Sequence, residues 1–351
     1  MPSLDPEAQA QLLSQVPKAD LHLHFEGCLM PAHVSELAER HGEALDYDQI
    51  VARYNTRTFP EFLELFKWAT SYLRIPTDYE IVARHLALQL QTQRVRYAEI
   101  TLSAGVMLLR DQNVEANFAA IRKAFGAVEK SETVRVQWIF DAVRQFGPEK
   151  AMEVARLAVR MKSEGVVAFG LGGDEESLPA SGFRKVYDYV ASEGLHRLVH
   201  AGEMGGPQSV RDAIELLGAE RIGHGIASIR DEQLMDLIIE RHIPLEICPE
   251  SNLRTGALAK LLGVAEACIE DHPLPKFIAR GVPVTLATDD PAMFHTTLDE
   301  TYRKALQSLG LSLPEIVRLA EAGFQFAFLP EDEKQAMLSQ FRSETKRLRL
   351  L

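Results

Sequence analysis

Short apolar runs alternate with longer amphipathic stretches along most of the chain. The runs are rich in β-branched residues, as is typical of strands that are buried on both faces of a parallel sheet. Between most of them, apolar residues recur three and four positions apart, which is the period of a helix that buries one side. Eight runs are of the first kind: 18–24, 95–102, 133–142, 165–173, 196–203, 221–225, 243–249 and 282–290.

Eight strand–helix units predict an α/β fold, a (β/α)₈ barrel of the TIM type. An open doubly wound sheet is the alternative, but it needs a glycine-rich phosphate turn after its first strand, and "HFEGCLMP" is not such a turn. No linker or repeat divides the chain, so we expect residues 1–351 to form a single domain. Extra helices are expected after the first strand and at the C-terminus, where residues 312–348 predict two helices separated by "LPEDEK".

The segment between the first two predicted strands, about residues 29–93, is too long for one crossover helix. It contains "TFPEFLELFKWATSYL", which is rich in aromatic and aliphatic residues. Helices inserted here would lie over the barrel mouth as a substrate lid, which makes Phe62 and Phe66 candidates for substrate contact. The alternative is an additional helix packed on the barrel wall.

Composition and charge narrow the classes of partner. The formal net charge is −12, which disfavours nucleic acid and anionic membrane surfaces as partners. No run approaches the roughly 18 apolar residues of a membrane span. The three cysteines are scattered, and "PSLDPEAQAQLLSQ" near the N-terminus lacks the pattern of a signal or transit peptide. We therefore expect a cytoplasmic protein with a small-molecule substrate, and the sequence leaves homo-oligomerisation open.

Histidine or aspartate side chains stand at the C-terminal ends of four predicted strands. Because these ends surround the active site of a (β/α)₈ barrel, residues distant in sequence would meet there. One such residue is usually structural, whereas four strand ends together indicate a shared site. The residues are His22 and His24 on the first strand, His200 on the fifth, His224 on the sixth, and Asp289 and Asp290 on the eighth.

Part of this set matches a catalytic zinc site, in which nitrogen and carboxylate ligands leave one position open for water. Zinc lowers the pKa of that water to about 7. The four candidate ligands are His22, His24, His200 and Asp289. Glu203 lies three residues beyond His200, where a general acid or base is expected, and His224 is placed to orient the attacking hydroxide. Asp290 points away from its neighbour and is free to hold substrate, so the set predicts metal-assisted hydrolysis.

Five ordered segments resemble the adenosine and adenine deaminase family of the amidohydrolase superfamily, over about residues 17–325: "HLHFEG", "HAGE", "RIGHG", "CPESNLRTGAL" and "TDDPAMFHTTLDETY". The resemblance implies a (β/α)₈ barrel with one zinc ion per chain, held by the four candidate ligands. It implies that Glu203 donates a proton to purine N1 and that His224 holds the attacking hydroxide. Asp290 would accept on the N7 side, and Gly173, in "GLGGDE", would present its backbone N–H to N3.

The resemblance implies a hydrolytic deaminase that replaces the 6-amino group of a purine by oxygen and releases ammonia. Glu26 stands where adenosine deaminases usually carry an aspartate that contacts the ribose 5′-hydroxyl, and the adenine deaminase branch also has glutamate there. We expect a nucleoside substrate, adenosine or a 5′-modified adenosine such as aminodeoxyfutalosine, with adenine as the alternative. Two other classes stay open, a different zinc hydrolase of the superfamily and a non-catalytic nucleoside-binding protein.

Overall fold

Eight parallel strands form one closed sheet in the computed structural model, which describes residues 6–132 and 134–350. Each strand pairs with the next one along the chain, from the first to the eighth. Each lies within or overlaps one of the eight predicted runs, so the barrel prediction is confirmed. The strands are β1 (Lys18–His24), β2 (Val95–Leu102), β3 (Arg135–Val143), β4 (Val166–Gly172), β5 (His196–Ala201), β6 (Arg221–His224), β7 (Leu245–Ile247) and β8 (Val284–Leu286).

The barrel closes between β1 and the segment that follows β8. The His24 N–H donates to the Asp289 carbonyl oxygen at 2.8 Å, and the Asp289 N–H donates to the His22 carbonyl oxygen at 2.8 Å. These two hydrogen bonds continue the parallel ladder for one step beyond β8. Closure of the sheet therefore brings His22, His24 and Asp289 together through their own backbones.

Helices cover the outside of the sheet and part of its mouth. Among the described residues they are α1 (Pro6–Leu13), α2 (Pro31–Arg40), α3 (Tyr47–Arg53), α4 (Phe59–Thr70), α5 (Pro76–Thr92), α6 (Ala104–Leu109), α7 (Val114–Glu132), α8 (Gly147–Arg160), α9 (Arg184–Ser192), α10 (Pro207–Glu215), α11 (Glu232–Glu240), α12 (Pro249–Arg254), α13 (Ala257–Leu262), α14 (Leu274–Arg280), α15 (Leu298–Gln307), α16 (Leu313–Gln325) and α17 (Glu331–Arg347). In these residues no helix combines the length and the apolar character that a membrane crossing requires.

The helices between β1 and β2 have different positions. α5 packs against β2 and α7, so it belongs to the barrel wall. α4 instead lies beside the end of β1, and its Phe62 ring packs on Phe294, with the ring centroids 4.9 Å apart. A capping box starts α4: the Glu61 N–H donates to the Thr58 hydroxyl at 3.4 Å, and the Thr58 N–H donates to the Glu61 carboxylate at 3.2 Å.

The two C-terminal helices are observed as predicted. α16 packs on β1 and β8 across the closure of the barrel, where Gly323 lets the helix approach Ala19 closely. α17 packs on α16, with the rings of Phe324 and Phe341 5.4 Å apart. The separator is residues 326–330 and not the predicted "LPEDEK", because α16 ends at Gln325 and α17 begins at Glu331. Three acidic residues occupy the first turn of α17, where the helix dipole favours them.

Candidate active site

A cavity of about 800 Å³, including its open mouth, lies at the carboxyl ends of the barrel strands. Its floor carries most of the predicted strand-end residues, and one wall is apolar. The floor residues are His24, His200, Glu203, His224, Asp289 and Asp290. The apolar wall, formed by α4 and its neighbours, consists of Phe59, Phe62, Leu63, Phe66, Val106 and Phe146.

The four predicted metal ligands converge at one point of this floor. Their ligand atoms all lie within 4.8 Å of one another. The Nε2 atoms of His24 and His200 are 3.2 Å apart, and Asp289 Oδ1 is 3.4 Å from Nε2 of His22 and also from Nε2 of His24. Ligands of a tetrahedral zinc ion lie roughly 3.4 Å from one another, given bonds of about 2.1 Å. Nε2 of His22 is also buried and has no hydrogen-bond partner in the part of the chain that the structure describes, so these residues fit a zinc ion.

A chain of buried charges holds His22 from behind. Its Nδ1 atom lies 2.7 Å from Glu246 Oε2, and Glu246 Oε1 lies 2.6 Å from Nε of Arg221. Arg221 also pairs with Glu99. Burial by itself raises the pKa of Glu246, but the charge of Arg221 and the hydrogen bond with His22 hold it below its ordinary value. The carboxylate therefore stays charged and fixes the ring of His22 with Nε2 toward the other ligands.

Glu203 lies next to this group and is protonated more readily than an ordinary glutamate. Its Oε2 atom is 3.6 Å from Nε2 of His224, and the Thr255 hydroxyl donates to Oε1 at 3.4 Å. Burial raises the pKa of the Glu203 carboxyl well above its ordinary value, and the charges of Asp289 and Glu175 raise it further. A carboxyl group with a raised pKa can donate a proton near neutral pH.

The turn that carries Glu203 is fastened by a second carboxylate. Glu175, in the loop after β4, accepts the backbone N–H groups of four consecutive residues, Gly202 to Gly205. The distances from Glu175 Oε2 are 3.1 Å to the Glu203 nitrogen and 2.7 Å to that of Gly205. Glu175 therefore connects two loops of the barrel mouth and fixes the backbone under Glu203.

His224 and Asp289 have an unusual backbone conformation. Their φ angles are 63° and 65°, in the left-handed region that favours glycine. Such a conformation costs about 1–3 kcal/mol at a non-glycine residue and is found most often at functional sites. At the ends of two strands it turns both side chains toward the cavity, and Nε2 of His224 lies 3.7 Å from Asp289 Oδ2.

The predicted purine contacts Asp290 and Gly173 both line the cavity. Asp290 is buried and lies so close to Gly27 that any side chain at that glycine would overlap its carboxylate. Gly173 has a φ angle of 91°, which a residue with a side chain rarely adopts. Gln145 packs against it and accepts the N–H of Asp174 at 2.9 Å, so the turn after β4 is held in place.

The remaining predicted substrate contacts differ in position. Phe62 and Phe66 line the cavity from α4. Glu26 is buried, and its carboxylate accepts the N–H of Ser103 at 3.0 Å and 3.2 Å. Burial raises the pKa of Glu26 to about 7. Ser103 is among the residues that line the cavity, and Glu26 is not. The contact of Glu26 with substrate therefore stays a prediction.

Asp141, on β3, lines the cavity but is not among the site residues predicted from the sequence. It is buried, and its Oδ1 atom has no hydrogen-bond partner among the described residues. Burial raises its pKa to about 8. Gly170 and Gly172 of β4 leave the space into which the carboxyl group extends, towards Nδ1 of His200. The sequence does contain a signal for this residue, because "IFDA" places Asp141 at the end of an apolar run.

Comparison with known proteins gives a consistent result. The sequence model of the adenosine deaminase family matches residues 17–344. An aminodeoxyfutalosine deaminase from Streptomyces coelicolor is 36% identical to this chain, over 97% of this chain and 88% of its own length.

Two solved structures resemble the whole barrel. The adenine deaminase from Arthrobacter aurescens superposes with a TM-score of 0.87 at 29% identity, covering 94% of this chain and 99% of its own. An amidohydrolase from Burkholderia ambifaria, with bound zinc, superposes with a TM-score of 0.85 at 21% identity, covering 99% of this chain and 95% of its own. The second likeness shows the fold alone.

Proposed function

The chain belongs to the adenosine deaminase family, and on that premise we propose that it is a zinc-dependent aminohydrolase of a 6-aminopurine nucleoside. Family membership makes it a hydrolytic deaminase. What we propose beyond this is its substrate, its metal ion and the residues that perform the chemistry. One observation supports it above all others: four ligand atoms within 4.8 Å of one another lie beside a protonatable carboxyl group and a buried imidazole.

Each residue of the floor has a role in this proposal. Zinc held by the four ligands would supply a water molecule of lowered pKa for attack on C6. Glu203, protonated because of its burial, donates to purine N1, so that C6 becomes more electrophilic. His224 holds the attacking oxygen, and Asp290 and the Gly173 N–H hold the N7 and N3 sides of the ring. Of the two protons of the attacking water, one returns to the Glu203 carboxylate and the other passes to the amino nitrogen. The bond from C6 to that nitrogen then breaks, so that the oxygen stays on C6 and ammonia leaves.

The apolar wall supports a nucleoside with an extension at its 5′ end. Phe62 is only 8% exposed and packs on Phe66, with ring centroids 6.0 Å apart. Such a wall excludes water and gains free energy from an apolar or aromatic group, on the order of 25 cal/mol per Å² of apolar surface buried. A 5′-modified adenosine of the aminodeoxyfutalosine type is therefore the favoured substrate.

The charges around the cavity disfavour a nucleotide. Lys67 is the one lysine or arginine that lines it among the described residues, and its Nζ atom lies 2.7 Å from Glu64. A phosphate group is normally bound by arginine or several donors, and the wall offers neither. Lys67, which is exposed, is enough to pair with a single carboxylate group of a substrate at the mouth of the cavity.

Adenine is the second candidate substrate. It is favoured by the likeness to the Arthrobacter aurescens adenine deaminase and by glutamate at position 26, as in the adenine deaminase branch. The two candidates differ in what they offer the wall, because only the nucleoside carries a ribose and a 5′ extension.

A parallel assay decides between them. The zinc-loaded protein is incubated with adenine, adenosine, 2′-deoxyadenosine, a 5′-aryl-extended adenosine and AMP, and both the absorbance of the adenine band and ammonia release are followed. We expect the highest kcat/KM with the extended nucleoside and none above background with AMP. Highest activity with adenine would establish the second candidate, and no ammonia from any compound while zinc is bound would contradict the proposal.

A further inference from the structure

A line of three buried side chains leads from a backbone amide to His224. The Leu274 N–H, at the start of α14, donates to Nδ1 of His272 at 3.1 Å. Nε2 of His272 lies 3.2 Å from Oδ1 of Asn252. Nδ2 of Asn252 lies 3.1 Å from Nδ1 of His224. The three side chains come from the loop before α14, from α12 and from the end of β6.

The direction of every hydrogen bond in this line follows from its first member. A backbone N–H can only donate, so Nδ1 of His272 is an acceptor and, in the neutral ring, Nε2 carries the proton. That proton is donated to Asn252 Oδ1, which leaves the amide Nδ2 to donate to His224. Nδ1 of His224 is then an acceptor, and its single proton sits on Nε2.

The hydrogen bonds themselves make both imidazoles neutral, because Nδ1 of each ring accepts from an N–H donor and so carries no proton. His272 and His224 are 3% and 1% exposed. Burial lowers the pKa of the His272 ring to about 3. The amide of Asn252 is also buried, so water does not compete for its two hydrogen bonds.

We infer that Asn252 and His272 are positioning residues that hold His224 as the Nε2–H tautomer, with its N–H directed at the reacting oxygen. The inference rests on the proposed function for its catalytic meaning. Nε2 of His224 is the atom that faces Glu203 and Asp289, at 3.6 Å and 3.7 Å. A neutral imidazole that donates there stabilises negative charge as it develops on the attacking oxygen, and it cannot act as a base at that atom.

The tautomer is measurable without substrate. In ¹⁵N-labelled protein the protonated and unprotonated nitrogens of a neutral ring differ clearly in chemical shift, and loss of the signal in His224→Gln assigns it. We expect His224 to carry its proton on Nε2 near neutral pH, in the metal-free and in the zinc-loaded protein. A proton on Nδ1, or an equal mixture, would overturn the inference whatever the enzyme turns over.

Asn252→Asp replaces the amide that donates to His224 by a carboxylate, with almost no change in the shape of the side chain. A carboxylate can only accept, so it draws the proton of His224 to Nδ1 or leaves the ring doubly protonated. In serine proteases, a change that enforces the wrong tautomer lowers kcat about 10⁴-fold with the geometry intact. We expect a loss of kcat of roughly 10²–10⁴-fold here, with KM changed much less and the proton found on Nδ1. A variant that keeps both the wild-type kcat and the Nε2–H signal would refute the assignment.

Two controls separate this effect from simple destabilisation. Asn117→Asp introduces the same substitution at another buried asparagine, on α7, whose amide donates to Met107 and Gln112. At position 272, glutamine keeps an N–H donor for Asn252 whereas phenylalanine removes it. We expect His272→Gln to retain most of kcat and His272→Phe to lose it, at similar melting temperatures. Equal losses in both, or an Asn117→Asp loss matching that of Asn252→Asp, would mean that only stability is involved.

Discussion

The floor and the α4 wall of the cavity differ in almost every physical property. The floor consists of ionisable side chains at strand ends, which are fixed by the closed sheet and by partners such as the buried Glu246 and the half-buried Glu175. The wall consists of aromatic and aliphatic side chains, most of them on α4, a helix inserted between β1 and β2. A rigid floor keeps reacting groups in place, whereas an inserted helix can vary without disturbing the barrel.

The difference separates chemistry from substrate choice. A change in the floor should reduce turnover of every substrate by a similar factor, because each substrate presents the same 6-aminopurine to it. A change in the wall should alter only substrates long enough to reach it. Substitutions in the floor, beside it and in the wall test this separation, and their expected effects decrease in that order.

Glu203→Gln should give the largest loss. The amide cannot donate a carboxyl proton to N1, and loss of general acid catalysis typically costs about 10²–10⁴-fold in kcat. We expect that loss with all active substrates, together with an unchanged zinc content. Steady-state kinetics and metal analysis measure the two quantities. Near-native turnover in the purified variant would remove Glu203 from its assigned role.

Glu246→Gln should weaken zinc binding by about 10–100-fold, because it replaces the carboxylate that orients His22. Competition with a chelator measures the affinity on the folded protein. Glu220→Gln is the matched control, since Glu220 forms a similar pair with His196, at 3.0 Å, at the other end of the barrel. Equal zinc affinity in both variants would show that the pair behind His22 has no special function.

Glu175→Gln should change the pH dependence of kcat. Glu203 must be protonated, so turnover falls as the pH rises through the pKa of Glu203. The negative charge of Glu175 raises that pKa, and its removal lowers it. The alkaline fall in kcat should therefore move to lower pH. Glu176→Gln is the control, because Glu176 is exposed and pairs with Lys260 at 2.8 Å.

A uniform loss of kcat in Glu175→Gln without a shift of the profile would assign Glu175 a purely structural role. Gly205→Ala separates the two contributions. A side chain at Gly205 would come within 2.5 Å of Glu175 Oε1 and displace the carboxylate without removing its charge.

Phe62→Ala should have the smallest and most selective effect. It removes apolar contact for a 5′ extension, and we expect kcat/KM to fall roughly tenfold for an extended nucleoside, about 1.4 kcal/mol, with little change for adenine. Leu88→Ala, at an exposed position of α5, is the control. An equal fall for both substrates would show that floor and wall are not separate.

Local patterns predict the barrel and the convergence of the four candidate metal ligands. The predicted bounds of β1 and β2 agree with the structure, and the ends of the other strands differ by a few residues. The reason is that a buried parallel strand has a strong apolar signal, so a polar residue at its end stands out. Parallel order then brings all such ends to one rim, which is why His22 and His200 can be placed together without coordinates.

The partners of these residues could not be derived in the same way. Asn252 and His272 are twenty positions apart, and no periodicity connects an amide in α12 to an imidazole before α14. Asp141 reaches the cavity only because two glycines on the neighbouring strand leave it space. Glu175 lies in a loop, where a carboxylate is common. Nothing in the sequence indicates the four backbone N–H groups that donate to it.

The sequence by itself therefore determined the architecture and the convergence of the four candidate ligands and the candidate acid Glu203, since these depend on strand order and on chemistry carried by the residue itself. Only the tertiary structure decided which groups surround them: the carboxylate behind His22, the anchor of the Glu203 turn, and the amide that orients His224. Hydrogen bonds have short range and a required direction, so the protonation of a buried group is set by atoms that come within about 3 Å of it after folding.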